Sequence, residues 1–100
     1  MKVIARPMGT GKTEELLRSA AEDKALVLAE NKAELQDKAN AYGITVQVVD
    51  WNDIVNTYYG LDIPLYIHRM DDVIKHYFEE DYGFQLKGYS IRMENDDEEI

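Results

Sequence analysis

Residues Met1 to Ala21 read MKVIARPMGTGKTEELLRSAA: a short apolar run, a glycine-containing turn that ends in Gly11-Lys12-Thr13, and an amphipathic helix. Backbone N–H groups in such a turn, together with the open N-terminus of the helix that follows, form a concave anion site matched to the phosphates of a nucleotide. In this reading Gly9 and Gly11 allow close backbone approach, Lys12 reaches the β- and γ-phosphates, and Thr13 places its hydroxyl on Mg²⁺. Gly9, Thr10, Gly11, Lys12 and Thr13 are therefore the candidate nucleotide-binding residues.

The chain around this stretch alternates between strand and helix patterns. Val3-Ile4-Ala5 reads as the first strand. The helix runs from about Lys12 to Glu22, with Leu16, Leu17, Ala20 and Ala21 on one face and Glu14, Glu15 and Arg18 outside. Ala25 to Ala29 is a continuous apolar run of strand length, the pattern of a parallel strand covered on both faces. Asn31 predicts a helix N-cap with Glu34 three residues on, and Gly43 a stop after Leu35, Ala39 and Tyr42. Ile44 to Val49 is β-branched and reads as a third strand. Asp50 with Asp53 then opens a short helix through Trp51, Ile54, Val55 and Tyr58 that ends by Gly60.

Pro64 starts a fourth strand, Leu65 to His68. Asp71 is the expected cap of a helix through Val73, Ile74, Tyr77 and Phe78, closed by Gly83. Phe84 to Ile91 offers a fifth strand. Strands alternating with helices over short connections specify a three-layer α/β/α fold with a mostly parallel sheet of about five strands. Ligands of such sheets bind at the carboxyl ends of the strands, and the Gly-Lys-Thr turn follows the first one.

One hundred residues make a single domain, expected over 1–92. Residues 93–100 are almost all polar and acidic and read as a solvated, disordered tail. No apolar run reaches membrane-spanning length, the N-terminus lacks a secretion-signal pattern, and no cysteine is present. These features lead to the expectation of a cytoplasmic protein without membrane association. A net charge of −9 argues against direct nucleic-acid binding. His68 and His76 do not have metal-ligand spacing.

Arg6-Pro7-Met8-Gly9-Thr10-Gly11-Lys12-Thr13 resembles the P-loop, or Walker A motif, of nucleoside-triphosphate-binding proteins, with Arg6 where that pattern has glycine. The whole chain resembles a stripped-down RecA-like ATPase domain of the helicase and terminase type. It is most similar to small P-loop proteins of phages and prophages of Gram-positive bacteria. The resemblance implies ATP or GTP with Mg²⁺ as ligands, weak or no hydrolysis, and an accessory role in phage DNA metabolism.

Such families also place an acidic residue at a strand end to hold the Mg²⁺ shell. Here His68 stands at that place, with Asp71 three residues on. Alternatively the strand extends through Met70 and Asp71-Asp72 are the paired acids, or both aspartates merely favour the positive end of the next helix. Lys12, Asp71 and Asp72 are the catalytic candidates, and Thr13 and Asp71 the metal candidates. Arg69 and Arg92 read as surface charge or, alternatively, as arginines acting across an oligomer interface. A second reading is an acidic protein-interaction or inhibitor module on a degenerate P-loop scaffold. A protein partner or self-association as a dimer is compatible with either.

Overall fold

The computed structural model describes Ile4 and residues 11–90. The strand expected at 3–5 (but for Ile4), Gly9, Thr10, Arg92 and the 93–100 tail lie outside the described residues.

Helix α1 spans Lys12–Glu22, with Leu17 and Ala20 fully buried and Leu16 and Ala21 packed beside them. On its outer face Arg18 pairs with Glu14 at 2.8 Å. The helix closes through a bond from the Ala25 N–H to the Ala20 carbonyl, with Lys24 between them in the left-handed region at φ 54. Strand β1, Leu26–Leu28, follows directly and is buried at every position.

Helix α2, Lys32–Tyr42, begins where Asn31 Oδ1 accepts the Glu34 N–H at 3.1 Å. It ends at Gly43, φ 72, with the Ile44 N–H on the Ala39 carbonyl. This is the Schellman closure, in which the residue after the left-handed position packs back on the helix. Ile44 does so: it is buried against Leu35 and Ala39. The third expected strand is shortened for that reason, and β2 is only Gln47–Val49.

Asp50 and Asp53 form a full capping box at the start of α3, Trp51–Asp53, which continues as a π-helical turn over Ile54–Tyr58. Pro64 hands its carbonyl to the Leu26 N–H. Strand β3 is then Leu65–Ile67, and α4 is Met70–Lys75, extended by a π-helical stretch over His76–Asp81.

The three strands are parallel in the order β2-β1-β3, with Val27 opposite Val48 and Tyr66, and Leu28 opposite Val49 and Ile67. Side chains alternate between faces along a strand. Val27, Val48 and Tyr66 accordingly join the core with Leu17 and Ala20 of α1 and Leu35 and Ala39 of α2. Leu28, Val49 and Ile67 join Trp51, Ile54, Tyr58 and Val73 on the opposite face. Helices thus cover both sides of a small parallel sheet.

The outer edge of β2 is closed by a side chain. Gln36 of α2 donates to the Val46 carbonyl at 3.3 Å and accepts the Val48 N–H at 3.1 Å. Those are the two groups, flanking one register position, that a further parallel strand would bond.

Three expectations need correction. The segment 84–90 is not a strand: the Phe84 N–H bonds the Phe78 carbonyl and the Leu86 N–H bonds the Glu79 carboxylate, so the end of the preceding helix takes up these donors. Of the five expected strands, three form the parallel sheet of the described residues, and the one at 3–5 lies, but for Ile4, outside them. Asp71 does not cap α4. Arg69 holds the cap position, without a side-chain cap bond, and Asp71 and Asp72 fall in the first turn. Nor does the fourth expected strand extend through Met70, because β3 ends at Ile67 and α4 starts at Met70.

Candidate functional site

A parallel sheet brings all its carboxyl ends to one edge, and here these are Ala29-Glu30, Asp50 and His68-Arg69. Helix α1 leads into β1 through a tight turn, so it runs back along the sheet and its first turn lies at the same edge. Of the candidate phosphate-binding residues, Gly11, Lys12 and Thr13 are described. Gly11 is the N-cap at φ 77, ψ 17, in the left-handed region that favours glycine, and as a glycine it offers no side-chain cap of its own. Lys12 and Thr13 open α1, both half-buried. The N–H groups of a first helical turn carry the positive end of the helix dipole.

Between the carboxyl ends of β1 and β3 lies a cavity of about 220 Å³, bounded by Glu30, Glu34, Lys38, His68, Arg69 and Asp72. His68 is fixed there by its backbone N–H, which donates to the Leu28 carbonyl at 2.9 Å. Burial pulls its imidazole pKa below the ordinary value, with the charges of Arg69 and Lys38 acting in the same direction and Asp72 and Glu34 opposing. The ring is neutral at neutral pH. The two aspartates separate: Asp72 lines the cavity and is half-buried, whereas Asp71 is exposed and stands outside it.

On the other side of Glu30 a smaller cavity, about 110 Å³, is walled by Asp50, Trp51, His76, Tyr77 and Asp81. Trp51 and Tyr77 are tilted against each other with ring centroids 4.3 Å apart, tying α3 to the extension of α4. His76 Nδ1 lies 3.1 Å from Glu80 and 3.5 Å from Glu30. The two histidines therefore serve different cavities. At the rim, Lys32 Nζ sits 2.8 Å from Asp53 and 3.7 Å from Asp50. The hydrogen bond to Asp53 raises the Lys32 pKa, and the same bond lowers that of Asp53.

Among the described residues no group of three or more His, Asp or Glu side chains is disposed to hold a metal ion. Mg²⁺ in a nucleotide site takes most of its ligands from phosphates and water, with one or two from the protein. Thr13 opens α1 and Asp72 lines the cavity, on different elements, and Asp71 is exposed outside it.

Lys38 and Glu34 were not among the site candidates read from the sequence, where Glu34 figured only in the helix cap. They sit one turn apart on α2, 3.8 Å from each other, and their spacing alone reads as an ordinary solvent-facing pair. Only the fold, which sets α2 across the cavity from the turn after β3, gives them a cavity to face. No helix among the described residues is long and apolar enough to cross a membrane. The chain matches no family model, no curated protein and no solved structure.

Proposed function

We infer that this chain binds a nucleoside triphosphate, ATP or GTP, with Mg²⁺, through Gly9, Thr10, Gly11, Lys12 and Thr13. The observation that carries the reading is the glycine-initiated start of α1, with Gly11 in the left-handed region and Lys12 and Thr13 in the first turn, at the carboxyl edge of a parallel sheet. Lys12 supplies charge to the phosphates, Thr13 the hydroxyl for Mg²⁺, and Asp72 the acid that faces the cavity.

The P-loop NTPase-like fold belongs to the same proposal. Helix α1 packs on β1 and β3. Hydrolysis is weak in this reading, because His68, an imidazole rather than a carboxylate, directly follows β3. An accessory role in phage DNA metabolism rests on the sequence resemblance alone.

Calorimetric titration of the wild type and Lys12→Ala with ATP, with and without Mg²⁺, tests the reading. Magnesium-dependent heat that disappears in the variant supports it. Absence of heat from the wild type at millimolar ATP removes it.

The second reading, an acidic protein-interaction module, draws on the exposed side chains Tyr59, Leu61, Tyr82, Phe84 and Tyr89. In that case a partner would still bind the Lys12→Ala variant.

A further inference from the structure

The smaller cavity takes no part in the nucleotide reading. It lies between the carboxyl ends of β1 and β2, walled by Glu30 after β1, Asp50 and Trp51 at the start of α3, and His76, Tyr77 and Asp81 from the extension of α4. Among the described residues no lysine or arginine lines it, whereas Lys38 and Arg69 line the larger cavity. Lys32 approaches Asp50 from the rim but sits closer to Asp53, at 2.8 Å against 3.7 Å. His76 faces Glu30 and Glu80, and an imidazole cancels carboxylate charge only when protonated. The lining is negative, on a chain with 20 acidic residues against 11 basic ones.

Carboxylates alone do not define a ligand, and the second feature of the cavity is aromatic. Trp51 and Tyr77 both line it, half-buried, with ring centroids 4.3 Å apart and planes inclined by 45°. The electron-rich face of such a ring attracts a cation lying within about 6 Å of it. Aromatic walls beside carboxylates suit an organic cation, whereas a bare metal ion takes oxygen ligands and water.

The backbone adds a third feature. The extension of α4 over His76–Asp81 is π-helical. Residues five apart in an α-helix point about 140° from each other, and the wider π turn returns them to one face. His76 and Asp81, five apart, accordingly both reach the cavity wall. Such turns are frequent at functional sites.

We propose that the smaller cavity binds an organic cation, an alkylammonium or guanidinium head group, with Glu30 and Asp50 balancing its charge and Trp51 and Tyr77 packing against it. A volume of about 110 Å³ suits a head group rather than a nucleoside. A free amine and the end of a lysine or arginine side chain share this chemistry. The site is independent of α1 and of the nucleotide reading.

Trp51 is the single tryptophan of the chain, so its indole N–H resonance reports on the cavity. The experiment follows that resonance as the full chain is titrated with choline, with butylguanidinium, and with dimethylbutanol, the neutral carbon isostere of choline. Both cations shift it saturably, and the neutral isostere binds roughly tenfold or more weakly. Glu30→Gln removes one half-exposed carboxylate, melts as the wild type does, and weakens both cations by about threefold or more. Followed through the Tyr77 backbone amide, Trp51→Phe, which keeps an aromatic face, retains more affinity than Trp51→Leu. Equal affinity for choline and its isostere overturns the proposal, as does unchanged cation binding in both Glu30→Gln and Trp51→Leu. No shift with either cation at tens of millimolar also overturns it. A blocked tripeptide with arginine at its centre separates the sources of the head group. Binding tighter than that of butylguanidinium assigns it to a partner's side chain, and equal or weaker binding to a free small molecule.

Discussion

The Val48 N–H donates to Oε1 of Gln36 at 3.1 Å, so a helix side chain occupies the position that a neighbouring strand would take on β2. With the Nε2 bond to the Val46 carbonyl, the amide closes the edge of the sheet on that side. Open edges invite pairing with another chain. Gln36→Met, which keeps the length of the side chain, leaves a donor and an acceptor without partners and lowers stability by about 1–3 kcal/mol in urea denaturation. The Val48 amide exchanges faster, and concentration-dependent self-association becomes visible by light scattering. A variant as stable and as monomeric as the wild type would show that the amide does not guard this edge.

Two left-handed positions close helices, and they respond oppositely to substitution. Gly43 at φ 72 has open space where a Cβ would go, so Gly43→Ala carries backbone strain alone and destabilises by about 1–2 kcal/mol. Lys24 at φ 54 carries that strain already, so Lys24→Gly is neutral or stabilising by up to about 1 kcal/mol. Thermal melts of the two variants read the difference, and a drop in Tm for Lys24→Gly contradicts the assigned helix closure.

His68 makes the protein acid-sensitive. Its folded pKa lies below the unfolded 6.5, so the unfolded chain takes up the proton first. The resulting stability is fully present above pH 6.5 and is lost as pH falls through 6.5 toward the depressed folded value. Replacing His68 with Gln removes this component. The slope of unfolding free energy against pH just below 6.5 is shallower in His68→Gln than in the wild type. Identical slopes would place the imidazole in water.

What the sequence disclosed was mostly local. Asn31 with Glu34, and Asp50 with Asp53, are caps because a side chain and an N–H three residues apart meet in any helix start. The run from Leu26 to Leu28 could be read as a strand buried on both faces because nothing polar interrupts it. Asp71 misled for the same local reason. It looks like a cap, yet one left-handed residue turns β3 into α4 earlier than an aspartate cap would. Phe84 to Leu86 has strand-like composition, but its backbone donors return to the helix before it. The cavity was not legible, since Lys38 and Arg69 lie 31 positions apart and meet only through the pairing of β1 with β3.

The central claim is that the start of α1 receives the phosphates of a nucleotide. Its most direct test is an NMR titration that follows backbone amides as MgATP is added. The account predicts that the largest shifts fall on Gly11, Lys12 and Thr13, with His68 and Arg69 next and the smaller cavity around Trp51 and Tyr77 unmoved. Saturating MgATP that leaves the α1 amides in place, or that shifts only residues elsewhere, contradicts it.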